Sequence, residues 1–296
     1  MAIDLTRLPP PAIMETIDYE SLLAEYKAKL LTLVPAEQRA AIAATLQLES
    51  EPLLMALQLA CYREMLLRQR INEAARASLL AYAEREDLDN RAADYGVQRL
   101  LIQPAQPDAN PPTEAQWESD ERLRMRCQMA MEGLASAGPR GAYAFHAFSA
   151  SADVADVDVD TPAGGTVRVW LLGRDGAASS TLCNTVAAAL NAEDVRPLCD
   201  TVDVRAAAPL SFAIEARIEY QPGGEAVSGG LAGANLRLSK MLAERRKIRG
   251  SVPRSAIDAA LHVPGVNRVI LTSPAADVQC GVGQFPSCAG LSVVAS

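Results

Sequence analysis

The chain is short of histidine, of clustered cysteine, of positive charge and of long apolar runs, and each shortage removes a class of function. Its two histidines, His146 and His262, stand far apart among 296 residues. A zinc site needs closely spaced cysteine and histidine ligands, and Cys183 and Cys199 have no histidine pair near them. The six cysteines, which also include Cys61, Cys127, Cys280 and Cys288, form no C-x-x-C pair. Cys61 and Cys127 fall on apolar helical positions and read as small buried hydrophobes. Cys280 and Cys288 are near enough in sequence to close a short loop, but a reducing cytosol favours two free thiols. The net charge of −8 argues against a general nucleic-acid surface, which needs a basic patch. One local basic cluster, ERRKIR at Glu244 to Arg249, reads as the solvated end of a helix, where cations complement the dipole. No apolar run approaches the ~20 residues that span a bilayer. The start, MAIDLTRLPPPAI, lacks the basic and apolar segments of a secretory signal, so synthesis and folding in the cytosol are expected.

Catalytic patterns are missing as well. No G-x-S-x-G occurs. The glycines at 223, 224, 229, 230 and 233 lack both G-x-G-x-x-G and the Lys-Ser/Thr pair of a phosphate loop, which leaves a flexible strand-to-helix connection. Asp153, Asp156, Asp158 and Asp160 alternate, and strand spacing splays them apart where a calcium loop would converge them. Asp156, Asp158 and Asp160 therefore read as a solvated strand face that discourages edge pairing. His146, among Tyr143, Phe145 and Phe148, reads as a packed histidine, and His262 as a capping or surface residue. No catalytic, cofactor-binding or metal-binding residue is assigned.

What is present is a long helix with too much apolar surface. Pro52 opens it, where the missing N–H costs nothing, and no glycine or proline follows until Gly96. The pattern predicts helix from Pro52 to about Glu86 and a shorter one over Asp87 to Tyr95. Leu54, Leu57, Cys61 and Met65 line one side; Leu59, Tyr62 and Leu66 form another. A helix on an ordinary globular surface needs one apolar face. Two faces imply burial between neighbours, some of them outside this chain. Leu54, Leu57, Leu59, Tyr62, Met65 and Leu66 are accordingly the partner-interface candidates. Arg140 joins them, because Pro139 and Gly141 present its guanidinium at a helix start, where the dipole disfavours a cation unless a carboxylate of this chain or the next compensates.

Around this helix the reading is α+β, an N-terminal helical bundle region followed by two small α+β units. Extended chain with polyproline geometry over Met1 to Pro11 precedes helices over Tyr19 to Val34 and Ala36 to Leu48. The helical region covers 1–102. Four prolines in QPAQPDANPP, Gln103 to Pro112, mark a linker over 103–116. A central domain, 117–208, has helices from Ser119 and over Gly141 to Ala150. Strands at Val154 to Val159 and Thr166 to Leu172, a helix at Ser179 to Asn191 and a strand at Thr201 to Ala206 follow. A C-terminal domain, 209–296, has a strand at Ser211 to Tyr220 with one buried face and helices at Ala226 to Arg246 and Pro253 to Leu261. Strands at Asn267 to Thr272 and Leu291 to Ala295 complete it.

Several of these blocks resemble the baseplate J family of contractile-tailed bacteriophages. They are YREMLLRQRINEAARASLLAYAEREDLDNRAADYGVQR (Tyr62 to Arg99), ESDERLRMRCQMAMEGLASAGPRGAYAFHAFSA (Glu118 to Ala150), VRVWLLGRDG (Val167 to Gly176), LNAEDVRPLCDTVDV (Leu190 to Val204) and RSAIDAALHVPGVNRVILTSPAADV (Arg254 to Val278). They run in family order across almost the whole chain. The resemblance implies a structural, non-enzymatic subunit of the tail baseplate wedge, assembled in the host cytoplasm and arranged six-fold around a central hub. It implies contacts with copies of itself, with the small lysozyme-like wedge protein and tail protein I, and with hub and sheath. It further implies that the N-terminal helices organise a wedge while the C-terminal part joins adjacent wedges. The rival reading is a tail-associated cell-wall hydrolase, which would need a concave site with paired carboxylates or a metal.

Overall fold

The computed structural model describes Leu5, Leu8, Pro9, residues 11–135 and residues 138–295. The polyproline geometry expected over Met1 to Pro11 lies largely outside the described residues. The chain forms two compact units, Met1–Gln98 with Asp120–Arg124, and Arg99–Ser119 with Met125–Ser296. The class is α+β, as the hydrophobic periods predict.

In the first unit, α1 (Tyr19–Leu33) starts where Asp18 accepts a hydrogen bond from the Ser21 amide at 2.8 Å, satisfying one of the orphan donors of a helix start. It stops at Val34, whose extended backbone is what a following proline imposes. Then come α2 (Arg39–Thr45), α3 (Pro52–Ala77) and α4 (Arg85–Ala93). Leu22 and Leu23 of α1, Leu46 and the α3 residues Leu54 and Cys61 form the core of the first three helices. Asn72 pins the preceding segment onto α3 by exchanging two hydrogen bonds with the Glu15 backbone, at 2.8 and 3.1 Å.

The long helix ends at Ala77, nine residues before Glu86, although no glycine or proline stops it. The cause is distant in sequence. The Arg124 guanidinium takes the carbonyls of Leu80 and Ala83 at 2.8 and 2.7 Å, so those acceptors hold a loop. Asp120 accepts the amide of Arg85 at 3.0 Å, where Arg85 sits at a φ of +50°.

The second unit opens with a hairpin, β1 (Leu101–Gln103) against β2 (Gln116–Trp117). The proline-rich segment is its tip, since Gln106 and Thr113 exchange backbone hydrogen bonds at 2.9 and 3.1 Å. After α5 (Asp120–Gly133) and α6 (Arg140–Ala150) comes a sheet built on β4 (Thr166–Gly173). It pairs antiparallel with β3 (Val154–Ala163) and β5 (Gly176–Ala177), and parallel with β6 (Thr201–Ala206). Helix α7 (Ser180–Leu190) supplies the crossover between β4 and β6 that a parallel pair requires. Tyr143, Ala147, Val169, Leu171, Val186 and Leu190 belong to the core beneath.

A second sheet centres on β7 (Ala208–Tyr220). The helix expected over Ala226 to Arg246 is divided into α8 (Gly224–Ser228) and α9 (Gly230–Arg245), because Gly229 and Gly230 both take positive φ, 77° and 58°, which side chains with a Cβ resist. There follow β8 (Ser251–Val252), α10 (Arg254–Leu261), β9 (Val266–Ser273), β10 (Val278–Gln279) and β11 (Gln284–Ala295). Strand β7 pairs antiparallel with β9 and parallel with β11, which leaves β9 and β11 at the edges. Ile214, Ala216 and Ile218 face the core with Leu238, Ile257 and Leu261, while Glu215 and Arg217 are exposed.

One ion pair anchors the hairpin to α5. Glu118 and Arg126 lie 2.5 Å apart with side chains 0% and 4% exposed. The same carboxylate oxygen accepts the Leu100 amide at 3.0 Å. Two buried charges satisfy one another only while both remain, and removing one partner costs about 3–5 kcal/mol. Arg126→Met is expected to lose about that much stability in urea unfolding. Glu118→Gln/Arg126→Met should lose less than Arg126→Met alone, because no charge is then stranded.

Candidate interaction surfaces

Helix α3 carries two apolar faces, and the described residues cover only one. At 100° per residue, Leu54, Leu57, Cys61 and Met65 fall together. Leu54 is 4% exposed and Cys61 fully buried, and Leu57 and Met65 pack against them. The structure therefore seats Leu54 in the core shared with α1 and α2, and leaves Leu57 and Met65 half-buried beside it. Leu59, Tyr62 and Leu66 remain outward at 65%, 50% and 40% exposure. Met55 extends their row by one turn and is also exposed. Its signal was the spacing of four from Leu59. Leu67 and Ile71 are exposed as well.

Polar contacts hold the covered face. Glu64 accepts from the Tyr26 hydroxyl and pairs with Arg68 at 2.6 Å, as expected for an i, i+4 pair. Arg68 also reaches Glu15 at 3.2 Å. Hydrogen bonds from Tyr26 and Arg68 hold the Glu64 carboxyl below its ordinary range.

Arg140 begins α6 and is exposed. No carboxylate pairs with it among the described residues. The Glu132 carboxylate instead lies against Gly141, so close that a Cβ there would clash with it, and favours the helix dipole from that position. His146 packs edge-on against Phe145, its Nε2 3.2 Å from the Gly133 carbonyl. His262 caps α10 through its backbone, donating to Asp258. All six cysteines are free thiols. The hollow beside Gly229 and Gly230 is lined by Tyr220, Gln221 and Glu225, and among the described residues its lining holds no cation for a phosphate.

The aspartate row is a correction to the solvated face read from its alternation. Asp156 accepts the Ile248 amide at 2.7 Å, Asp158 accepts from Arg249 at 2.6 Å, and Asp160 accepts from the Trp170 indole at 3.3 Å. The cluster ERRKIR is not a free helix end either, for Arg245 binds the Ser251 carbonyl, Arg246 the Arg174 carbonyl and Arg249 Asp158. Beside this seam Leu172, Ala207, Ile248 and Phe285 are buried with Trp170 against them. Gly283 crosses the indole so closely that a Cβ would come within 2.6 Å of it. The row that looked exposed is thus the place where the two sheets are fastened.

Comparison with known proteins places these elements. The chain matches the Baseplate J-like N-terminal domain over residues 49–106, the central domain over 135–206 and the C-terminal domain over 212–294. It is 45% identical over 294 residues, 99% of this chain and 97% of the relative, to Baseplate protein J of Escherichia phage P2.

Two outcomes follow from the geometry. Leu66→Asp should change stability by no more than about 0.5 kcal/mol, as at other exposed sites, whereas Leu54→Asp should unfold the first three helices; circular dichroism melting separates them. The second concerns pH. Burial pushes the Asp156 carboxyl up from its ordinary value, so the folded state favours its protonated form. Its contribution is fully present below the ordinary carboxylate pKa of about 4 and is lost as pH rises through the raised folded value. Asp156→Asn should therefore be more stable than the parent at pH 8, with the difference vanishing near pH 3. Asp156→Ala should lose about 1–3 kcal/mol by leaving the Ile248 amide without its acceptor.

Proposed function

The chain belongs to the baseplate J-like family of phage tail proteins, and from that premise we propose that it is a structural subunit of the tail baseplate wedge. In this role it works by joining. Copies arranged six-fold around the central hub link wedges into a ring, and baseplate and tail assembly depend on them. Its partners are other copies of itself, the small lysozyme-like wedge protein, tail protein I, and the hub and sheath that the ring meets. Its place is the baseplate of the virion tail, reached after assembly in the host cytoplasm.

The observation that carries this reading is the outward row Met55, Leu59, Tyr62 and Leu66 on α3. Large apolar residues in a contiguous row mark a surface kept for another molecule. Helical spacing fits the row to an amphipathic helix of a partner. Region 1–102 then organises the wedge, 117–208 forms the body, and 209–296 meets the neighbouring copy. The hydrolase reading has no observation in its favour.

The triple variant Leu59→Asp/Tyr62→Asp/Leu66→Asp should keep the parent's circular dichroism and melting temperature. Supplied in place of the parent during tail production, it should give no complete baseplates by electron microscopy. Normal baseplates built from that variant would overturn the wedge-partner role of α3, and a cleared band on a peptidoglycan zymogram would overturn the non-enzymatic reading.

A further inference from the structure

We infer that the outer edge of β11, from Gly290 to Ala295, pairs with the same edge of a second copy, antiparallel and about a two-fold axis. The inference rests on the reading that the C-terminal part joins copies, and it names the surface that does so. The first observation is the state of the edges. A strand at the rim of a sheet presents unpaired backbone groups, which proteins protect with charged side chains, shortness or a cover. Among the longer rim strands of the two larger sheets, β3 carries Asp156, Asp158 and Asp160, β6 carries Asp203 and Arg205, and β9 carries Arg268. Strand β11 has no charged residue in its twelve, QFPSCAGLSVVA. Its first part is buried at Phe285 and Pro286, but Leu291, Ser292, Val294 and Ala295 are exposed.

The second observation is regularity. A register shift between Cys288 and Gly290 separates the covered half from the open one, after which Gly290 to Ala295 pairs without interruption with Ala213 to Ile218. The open half is therefore a straight template for strand addition. The chemistry then selects the occupant. The chain carries a net charge of −8, so two copies repel over most approaches, and a neutral edge is where they can meet. Self-pairing sets neutral residues opposite neutral residues. Pairing with the β9 edge of a neighbour would bring Arg268 against an apolar strand. A two-fold contact places the same patch on both copies, and an antiparallel strand pair has that symmetry. A ring closes through such a contact only when a second two-fold contact alternates with it. So short an edge buries far less than the ~1,600 Å² of a stable dimer, which makes the contact concentration-dependent in solution and effective once wedges are gathered in a ring.

Hydrogen exchange on the full chain tests this. Amide protection at residues 290–295 should rise about tenfold as protein concentration rises by a similar factor, with no matching rise in β9. Leu291→Lys/Val294→Lys and Leu291→Glu/Val294→Glu should each lose that rise, because like charges then face one another across the pair. An equimolar mixture of the two should regain it, which a misfolded strand could not do. Protection independent of concentration in the parent, or no recovery in the mixture, overturns the inference. Cross-linking of assembled baseplates separates it from the reading beneath. Links between copies within 209–296, found while the exchange results fail, would keep the C-terminal contact and discard β11. Links between copies that avoid 209–296 would discard both.

Discussion

A loop of four residues, Lys247 to Gly250, fastens the two sheets of the second unit to one another. Its Ile248 amide and Arg249 guanidinium land on Asp156 and Asp158, while the Ile248 side chain enters the seam with Leu172, Ala207 and Phe285. The charges explain why the fastening is specific. A purely apolar seam would tolerate sliding, whereas Asp156 and Asp158 each accept from a donor of the loop in one direction. The direction in which β11 offers its edge depends on these bonds. So does the setting of the half-buried Trp170, whose indole is closed in by Gly283 on the sheet-two side and tied to Asp160 on its own.

The first unit answers a different constraint. A single helix of 26 residues offers more apolar surface than two short neighbours can cover. Helices α1 and α2 are enough for the side bearing Leu54 and Cys61. The row bearing Leu59 and Tyr62 stays exposed among the described residues, at the usual cost of apolar surface in water. The polar bonds from Glu15 and Tyr26 to α3 reach Arg68 and Glu64, away from the open row.

Elements whose cause is local were readable from the chain. Strand β6 falls at Thr201–Ala206 as its pattern predicts, and α1 begins at Tyr19 because Asp18 caps it. The end of α3 was not readable, since Arg124, which takes the carbonyls of Leu80 and Ala83, lies more than forty residues away in sequence. The aspartates of β3 misled for a related reason. Alternation reports which side chains leave the core of their own sheet, but it is silent about a second sheet that arrives later in the chain. The α3 candidates show the same limit in miniature. Spacing separated Leu59, Tyr62 and Leu66 from Leu54, Leu57 and Met65, yet only the placement of α1 and α2 decided which set would be covered.

Between β6 and β7 there is one residue, Ala207. It is 1% exposed, its amide is committed to Leu171, and the next amide, of Ala208, is committed to Gly283. Such a junction has no slack. A push or twist applied at the rim of one sheet cannot be absorbed by a bending loop and must pass through the alanine and the seam into the other, as load passes through a welded beam. For a protein of a tail baseplate, that stiffness lets the two sheets take up a mechanical stress as one body.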